Sequence, residues 1–187
     1  DIHGLPWSEA WLITISTFSY TNHTLLPEAL ESWPMELFER VLPRHLQIIY
    51  RINAEHIEGA RSQNPVDFSE RIASLSLIDE QNGRKLRMGH LAFVGSHRVN
   101  GVSALHTDLM RKTVFRDLHA LHPDRIVNKT NGITFRRWLT QANPGLVKVM
   151  RDVCGDAVLD DPTLMIELAK GAGDCALQER IAAAKRA

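Results

Sequence analysis

The segment from Pro43 to Glu58 is the strongest constraint on the fold. Proline fixes φ and lacks an N–H that a first helical turn does not use, so Pro43 suits a helix start. From there Leu46, Ile49, Ile52, Asn53 and Ile57 recur near one face, while Arg51, Glu55 and Glu58 fall mostly outside it. A long amphipathic helix of this kind needs a partner layer to cover its apolar stripe. Its neighbours in sequence are shorter pieces bounded by proline and glycine. Trp7, Trp11, Ile15 and Phe18 stand at helical spacing after Pro6, predicting a helix over 7–18 with both tryptophans in the core. Pro27-Glu28 suits a short helix that stops before Pro34, and Pro34 opens another through Val41. Gly59 to Pro65 reads as the end of the long helix and a loop, and residues 66–73 as a further short helix.

Ala73 to Asp79 alternates as a strand does, Asp79 to Gly83 is a turn, and Lys85-Leu86-Arg87-Met88 alternates again, predicting a small hairpin. Gly89 to Val94 fits a buried helix leading into a glycine-bounded polar loop, Gly95 to Gly101. Val102 to Phe115 fits a helix with Leu105, Leu109 and Met110 inward. His122-Pro123 breaks the next short segment, and Arg125-Ile126-Val127 leads into the polar stretch from Asn128 to Trp138. There Asn131-Gly132 is a turn signal, because both residues tolerate positive φ. Thr134 is placed to cap the helix Phe135–Gln141, leaving backbone N–H groups that suit an oxygen-rich or anionic ligand. Pro144 to Cys154 and Pro162 to Ala187 complete the helical regions. The order is a helix-rich α/β one, without the regular strand–helix alternation of a doubly wound sheet. That points to a portion of a larger α/β protein. The chain opens Asp1-Ile2-His3 without Met or signal peptide and ends in a helical Ala/Lys/Arg stretch, so both ends are expected to continue into something longer.

Composition narrows the function by exclusion. The 187 residues are 44% hydrophobic and 24% charged, as in an ordinary soluble domain. Lys+Arg and Asp+Glu both number 22, and no basic stripe with interleaved aromatics occurs, so neither a polyanionic partner nor a nucleic acid is implied. No apolar run approaches the ~18 residues of a membrane span. Cys154 and Cys175 are too few for a disulfide framework, and a reducing, cytoplasmic compartment is the simpler expectation. Nine histidines raise the question of a metal, but there is no His-Glu-x-x-His and no carboxylate pattern around His119 and His122. Gly-x-Ser-x-Gly, Gly-x-Gly-x-x-Gly and Walker-type loops are also missing.

Three polar loops in apolar surroundings remain: Thr21 to Thr24, Gly95 to Gly101, and Asn128 to Thr134. Amide, hydroxyl and imidazole groups can each match a donor/acceptor alcohol, which is the chemistry of sugar recognition. Taken one at a time, such loops are also ordinary caps and turns.

The residues in and around these loops resemble the signatures of the α-glucan phosphorylases, the family of glycogen, starch and maltodextrin phosphorylases. Tyr20-Thr21-Asn22-His23-Thr24-x-Leu26-Pro27-Glu28-Ala29-Leu30-Glu31 with Trp33-Pro34 is one match. Leu42-Pro43-Arg44-His45-Leu46-Gln47-Ile48-Ile49-Tyr50 is a second, and Gly95-Ser96-His97-x-Val99-Asn100-Gly101-Val102 a third. Asn128-Lys129-Thr130-Asn131-Gly132-Ile133-Thr134-x-Arg136-Arg137-Trp138 is the fourth. Together they span nearly residues 6–155, and the Ala-rich end from about residue 160 carries less of the likeness.

The resemblance implies part of a two-domain, Rossmann-like glycosyltransferase (GT-B) architecture. Residues 1–130 would form the C-terminal part of the N-terminal domain, and 131–187 the start of the C-terminal domain. The implied activity is release of glucose 1-phosphate from the non-reducing end of an α-1,4-glucan by inorganic phosphate. The implied cofactor is pyridoxal 5′-phosphate, and the parent would be a homodimer. By position, His23 matches the active-site histidine that hydrogen-bonds the glucosyl unit. Asn131 matches the asparagine that binds the 6-hydroxyl, Val102 lines the same pocket, and Trp138 matches a tryptophan near the cofactor. A neutral imidazole at His23 can donate and accept one hydrogen bond each, orienting the sugar rather than carrying the main proton transfer. Two departures stand out: Phe135 replaces a frequent Pro before Arg-Arg-Trp, and the cofactor-binding lysine motif is missing. The expectation is therefore a fragment that does not catalyse alone; the alternative is a non-catalytic glucan-binding fragment.

Overall fold

The computed structural model describes residues 3–63 and 68–186, and the chain divides into two compact units, Asp1–Asn131 and Gly132–Ala187. In chain order the first unit contains α1 (Trp7–Thr17), β1 (Ser19–Asn22), a 3-10 turn (Pro27–Ala29), β2 (Ser32–Pro34), α2 (Met35–Val41) and α3 (Pro43–Gln63). These are followed by α4 (Phe68–Leu75), β3 (Ile78–Asp79), β4 (Lys85–Arg87), α5 (Met88–Val94), β5 (Arg98–Gly101), α6 (Ala104–Lys112), α7 (Arg116–Leu121) and β6 (Ile126–Asn128). β1, β5 and β6 form a parallel sheet with β5 central, in the register Tyr20↔Val99↔Ile126 and Asn22↔Gly101↔Asn128. β2, β4 and β3 form a small antiparallel sheet with β4 central.

The long helix buries the face that its spacing predicts. Leu46, Ile49 and Ile52 are buried and Ile57 is half-buried, with His56 and Ala60 completing the stripe. Asn53 belongs to this face for a reason other than packing: its Oδ1 accepts from Leu77 N at 2.8 Å and from Ser76 Oγ at 3.3 Å, satisfying the chain as it enters β3. The predicted loop through Pro65 and the start of the next helix at 66 lie outside the described residues. The core also takes Leu77 and Leu86 from the antiparallel sheet, Phe93 from α5, Val99 and Ile126 from the parallel sheet, and Met110, Phe115 and Leu118 from α6 and its continuation.

Several local expectations are corrected. The Ala73–Asp79 strand is helical through Leu75, since Ser76 N bonds Ile72 O at 3.0 Å, and only Ile78–Asp79 pairs with β4. Two polar segments that suggested loops are strands: Ser19–Asn22 and Arg98–Gly101 pair with each other in parallel. The short helix expected before Pro34 is one 3-10 turn followed by β2. The tryptophans of α1 are half-buried at the edge of the core, stacked at 5.8 Å, and no residue of that helix is buried. Trp7 is held from outside, with its Nε1 donating to Glu55 Oε2 at 2.7 Å and the Arg51 guanidinium 4.4 Å from its ring. Leu105 is 71% exposed rather than inward, because α6 starts only after Ser103, whose hydroxyl caps His106 N, and that phase turns Thr107 and Met110 inward.

The second unit contains α8 (Phe135–Ala142), α9 (Pro144–Cys154), 3-10 turns at Asp156–Leu159 and Pro162–Ile166, α10 (Glu167–Lys170) and α11 (Cys175–Arg186). Its core is Val147, Val149, Met150, Val158 and Leu177. Asn143 builds the start of α9: its Oδ1 accepts from Leu146 N and its Nδ2 donates to Ala184 O in α11, both at 2.8 Å. Gly155 ends α9 at φ 80°, in the half of backbone space that side chains avoid. The single helix expected over 162–187 is interrupted at Gly171–Asp174, and Asp174 Oδ1 caps α11 by accepting from Ala176 N at 2.8 Å. Among the described residues, no helix is long and apolar enough to cross a membrane.

Candidate functional site

In an open α/β sheet, ligands bind beyond the carboxyl ends of parallel strands, where chains diverge and leave backbone groups unpaired. Here those ends are Asn22, Gly101 and Asn128, one register row across the three strands. The residues that follow are His23, Val102 and Lys129, so three polar segments far apart in sequence meet at one edge. Adjacent strands lie about 4.8 Å apart, which sets the spacing of the groups they deliver.

β1 builds the His23 corner. Its alternation points Tyr20 and Asn22 inward and leaves Ser19 and Thr21 outside. Asn22 is 1% exposed yet fully engaged. Its Nδ2 donates to the Tyr20 hydroxyl at 3.1 Å, and its Oδ1 accepts from Thr24 N at 3.2 Å. His106 Nε2, on α6, lies 3.0 Å from Asn22 Oδ1 and 3.1 Å from Asn22 O. Both partners are acceptors, which places a ring proton on Nε2. The Thr24 bond closes an Asx turn around His23, and Thr24 Oγ1 accepts from Leu26 N at 3.1 Å, making a second turn next to it. His23 is thereby exposed on a fixed corner, at a concavity of about 250 Å³ walled by Tyr20, Asn22, Thr24, Met88 and Gly89. Sequence inspection missed Tyr20, Asn22 and His106 as supports; the alternation of Tyr20 and Asn22 was the available signal for the first two.

The other two strand ends are tied together through α6. A Cβ on Gly101 would stand 2.8 Å from Thr107 Cα, so only glycine lets the helix cross this close. Thr107 Oγ1 donates to Ser103 O at 2.7 Å. Asn128 is satisfied with its amide nitrogen towards Ser103 O (2.9 Å), Thr107 Oγ1 (3.0 Å) and Gly101 O (3.2 Å), and with its oxygen accepting from Thr130 Oγ1 at 3.2 Å. Lys129 N donates to Asn100 Oδ1 at 2.8 Å, and Asn131 N donates to Val102 O at 2.8 Å. The last bond sets Asn131 beside Val102, with its side chain exposed.

The structure thus brings His23, Val102 and Asn131 to one end of the parallel sheet. Trp138 belongs to the second unit, where it is 58% exposed on α8, a helix with no buried residue. Two expectations about the last polar segment are overturned. Neither Asn131 nor Gly132 takes positive φ, because Asn131 is drawn out along Val102 by its backbone bond. Thr134 precedes α8 without a side-chain capping bond, so the expected cap is not formed. His97, in the third motif, lies at the opposite end of the strands, its Nδ1 2.7 Å from Phe18 O.

Replacing Asn22 by Ala is expected to leave the strand in place but free the His23 corner, since the Asn22 side chain links Tyr20, Thr24 and His106. Amide exchange at Thr24 should rise about tenfold or more, as one bond of a buried network is lost. Unchanged protection at Thr24 would show that the corner is held by other means.

The family model described as carbohydrate phosphorylase matches residues 1–187. Over 174 residues the chain is 50% identical to the liver form of glycogen phosphorylase from Bos taurus, covering 93% of this chain and 20% of that protein. It is 46% identical over 186 residues to the Homo sapiens liver form, covering 100% of this chain and 22% of that protein. With the brain form from Bos taurus the identity is 44% over 186 residues. The chain spans about a fifth of the length of these curated relatives.

Proposed function

The chain belongs to the carbohydrate phosphorylase family, and on that premise we propose that it carries the glucosyl-binding side of an α-1,4-glucan phosphorylase. The observation that supports this best is the convergence of His23, Val102 and Asn131 beyond one row of parallel strand ends. In the parent reaction the bond between C1 of the terminal glucose and its glycosidic oxygen breaks, a C1–O bond to phosphate forms, and the departing oxygen gains a proton. His23 would hold the glucosyl unit by hydrogen bonds, and Asn131 would receive the 6-hydroxyl, with Val102 against the sugar. Their part is orientation, in which misplacement by even about 1 Å costs on the order of a hundredfold in rate.

Residues 1–130 are proposed as the C-terminal part of the parent's N-terminal domain and 131–187 as the beginning of its C-terminal domain, in a GT-B arrangement. The parent is proposed as a cytoplasmic homodimer acting on glycogen or maltodextrin. Pyridoxal 5′-phosphate would supply, through its phosphate, a proton donor and acceptor towards the substrate phosphate. The lysine motif expected to hold it is missing from the sequence. Trp138 offers one exposed aromatic face, and the amines of Lys112 and Lys170 are paired with Asp108 and Glu167. The cofactor is therefore assigned to other parts of the parent, and Trp138 to its neighbourhood. Nothing in the fold or the relatives favours a stand-alone glucan-binding module over this reading.

Two measurements test the proposal. Supplied with pyridoxal phosphate, phosphate and maltodextrin, the chain should release no glucose 1-phosphate; turnover would overturn the assignment of the cofactor site elsewhere. Saturation-transfer NMR with glucose or maltose should show contact at the His23 corner. The signal is expected to weaken about tenfold in His23→Ala and Asn131→Ala, each of which removes hydrogen bonds to hydroxyls. Equal signals in both variants would remove these residues from the sugar site.

A further inference from the structure

At the opposite end of the parallel strands, the first unit has a second cavity of about 170 Å³, with walls from α1, α3, α5 and the turn before β6. Its ionisable lining is His56 and Glu55 from α3, and His122 and Arg125 from the turn. Glu55 is already committed: Oε2 accepts from Trp7 Nε1 at 2.7 Å and Oε1 lies 3.0 Å from Arg51 Nε.

Arg125 is a half-buried cation with no ion pair among the described residues. Its Nη1 donates to Phe93 O at 3.3 Å and to Val94 O at 3.2 Å, the carbonyls that end α5. Nε and Nη2 have no partner among the described residues. Charges taken out of water are ordinarily paired, so this edge is an unmet demand for negative charge. Two histidines stand beside it. His56 Nε2 is 3.2 Å from Leu75 O, which places the ring proton there and leaves Nδ1 with its lone pair. The His122 ring packs between His56 (6.2 Å) and Phe93 (6.3 Å), and its two nitrogens make no hydrogen bond among the described residues. Burial above all, then the Arg125 charge, holds His122 down to about 4, and burial likewise lowers His56.

We infer that this cavity binds a small oxyanion of the phosphate or carboxylate class, held by the Nε/Nη2 edge of Arg125 and by His122. An anion would offset the Arg125 charge and favour protonation of His122 and then His56, each imidazolium adding a donor. Binding would therefore be accompanied by proton uptake. The cavity lies away from the His23 corner, so its occupancy and the sugar-site proposal stand or fall separately.

The test titrates the chain with sodium phosphate and, separately, sodium acetate, against sodium chloride at matched ionic strength. Histidine Cε1–H signals, assigned through His56→Gln and His122→Gln, report the site. Saturable shifts of both signals with phosphate or acetate, absent with chloride, are expected, and calorimetry in buffers of different ionisation enthalpy should show proton uptake at mildly acid pH. Saturation by phosphate alone identifies a phosphate-type ligand; saturation by acetate identifies a carboxylate, such as a side chain of a protein segment. Arg125→Gln should weaken binding about tenfold or more. Because Arg125 also holds the end of α5, circular dichroism checks its folding. His122→Gln, which removes no hydrogen bond of the ring among the described residues and keeps a side chain of similar reach, should fold, as circular dichroism checks, and reduce the proton uptake. No saturable shift with either anion, full affinity in a folded Arg125→Gln, or undiminished proton uptake in His122→Gln would each overturn the inference.

Discussion

Replacing Phe115 by Ala is expected to destabilise the first unit by about 3–5 kcal/mol, the range for deleting a fully enclosed aromatic ring. Phe115 is 1% exposed and lies at the turn from α6 into α7. Its ring meets Phe93 at 5.4 Å, His90 at 6.1 Å and Tyr20 at 6.2 Å, so it joins α5 and β1 to the α6–α7 corner. The backbone repeats the link, with Phe115 N donating to Met110 O at 3.0 Å and accepting at its own carbonyl from His119 N at 2.7 Å. These backbone bonds survive the substitution, so the corner cannot simply collapse into the void, and the upper part of the range applies. Since single domains are stable by only about 5–15 kcal/mol, a loss of this size removes much of the margin. Urea unfolding monitored by circular dichroism measures it, with Phe115→Leu expected to lose about 1–1.5 kcal/mol by comparison. A change below about 1 kcal/mol for the alanine variant would mean that the ring fills space that neighbours can close.

Acid should weaken the same unit before Asp79 and Asp117 titrate. His90, His122 and His56 all have pKa values lowered by burial from the ordinary 6.5, the first two to about 4. In the unfolded chain they regain the ordinary value, so between pH 6.5 and about 4 the unfolded state holds protons that the folded state does not. Stability therefore falls as pH drops through that window and levels off below it, where both states are protonated. Asp79 and Asp117, whose pKa values are lowered from 3.8, add their loss only at still lower pH. His90, enclosed by α5, Phe115 and the Ser74 carbonyl at 3.2 Å, accounts for about 3 kcal/mol by its shift from 6.5 to about 4. His90→Gln, which keeps a donor for Ser74 O, should flatten the dependence of unfolding free energy on pH in the window. An equal slope in the variant would place the acid sensitivity elsewhere.

The Asn131-Gly132 pair illustrates what sequence could mislead about. The pair is a strong turn signal locally, yet one backbone bond from Asn131 to Val102, about thirty residues back, outweighs that preference. Leu105 shows the same limit: its place in the apolar period depended on where the helix began, which is after the Ser103 cap rather than at Val102. The strands Ser19–Asn22 and Arg98–Gly101 were illegible because their residues are polar and few. Pairing with a neighbour, rather than propensity, makes them strands.

The amphipathic period from Pro43 to Ile57, the helix starts at prolines and the small hairpin were determined by the sequence alone, because spacing and turn chemistry act over a few residues. The motifs also identified the family from residues 20–34, 42–50, 95–102 and 128–138. Only the tertiary structure decided that three of those motifs share one sheet edge, that Asn22 and His106 hold the His23 corner, and that Arg125 faces a cavity with two histidines and a carboxylate, Glu55, that is engaged by Trp7 and Arg51. Each of these rests on parallel register or on packing between segments tens of residues apart. Such contacts leave no local trace, because what fixes them is the closure of the whole core.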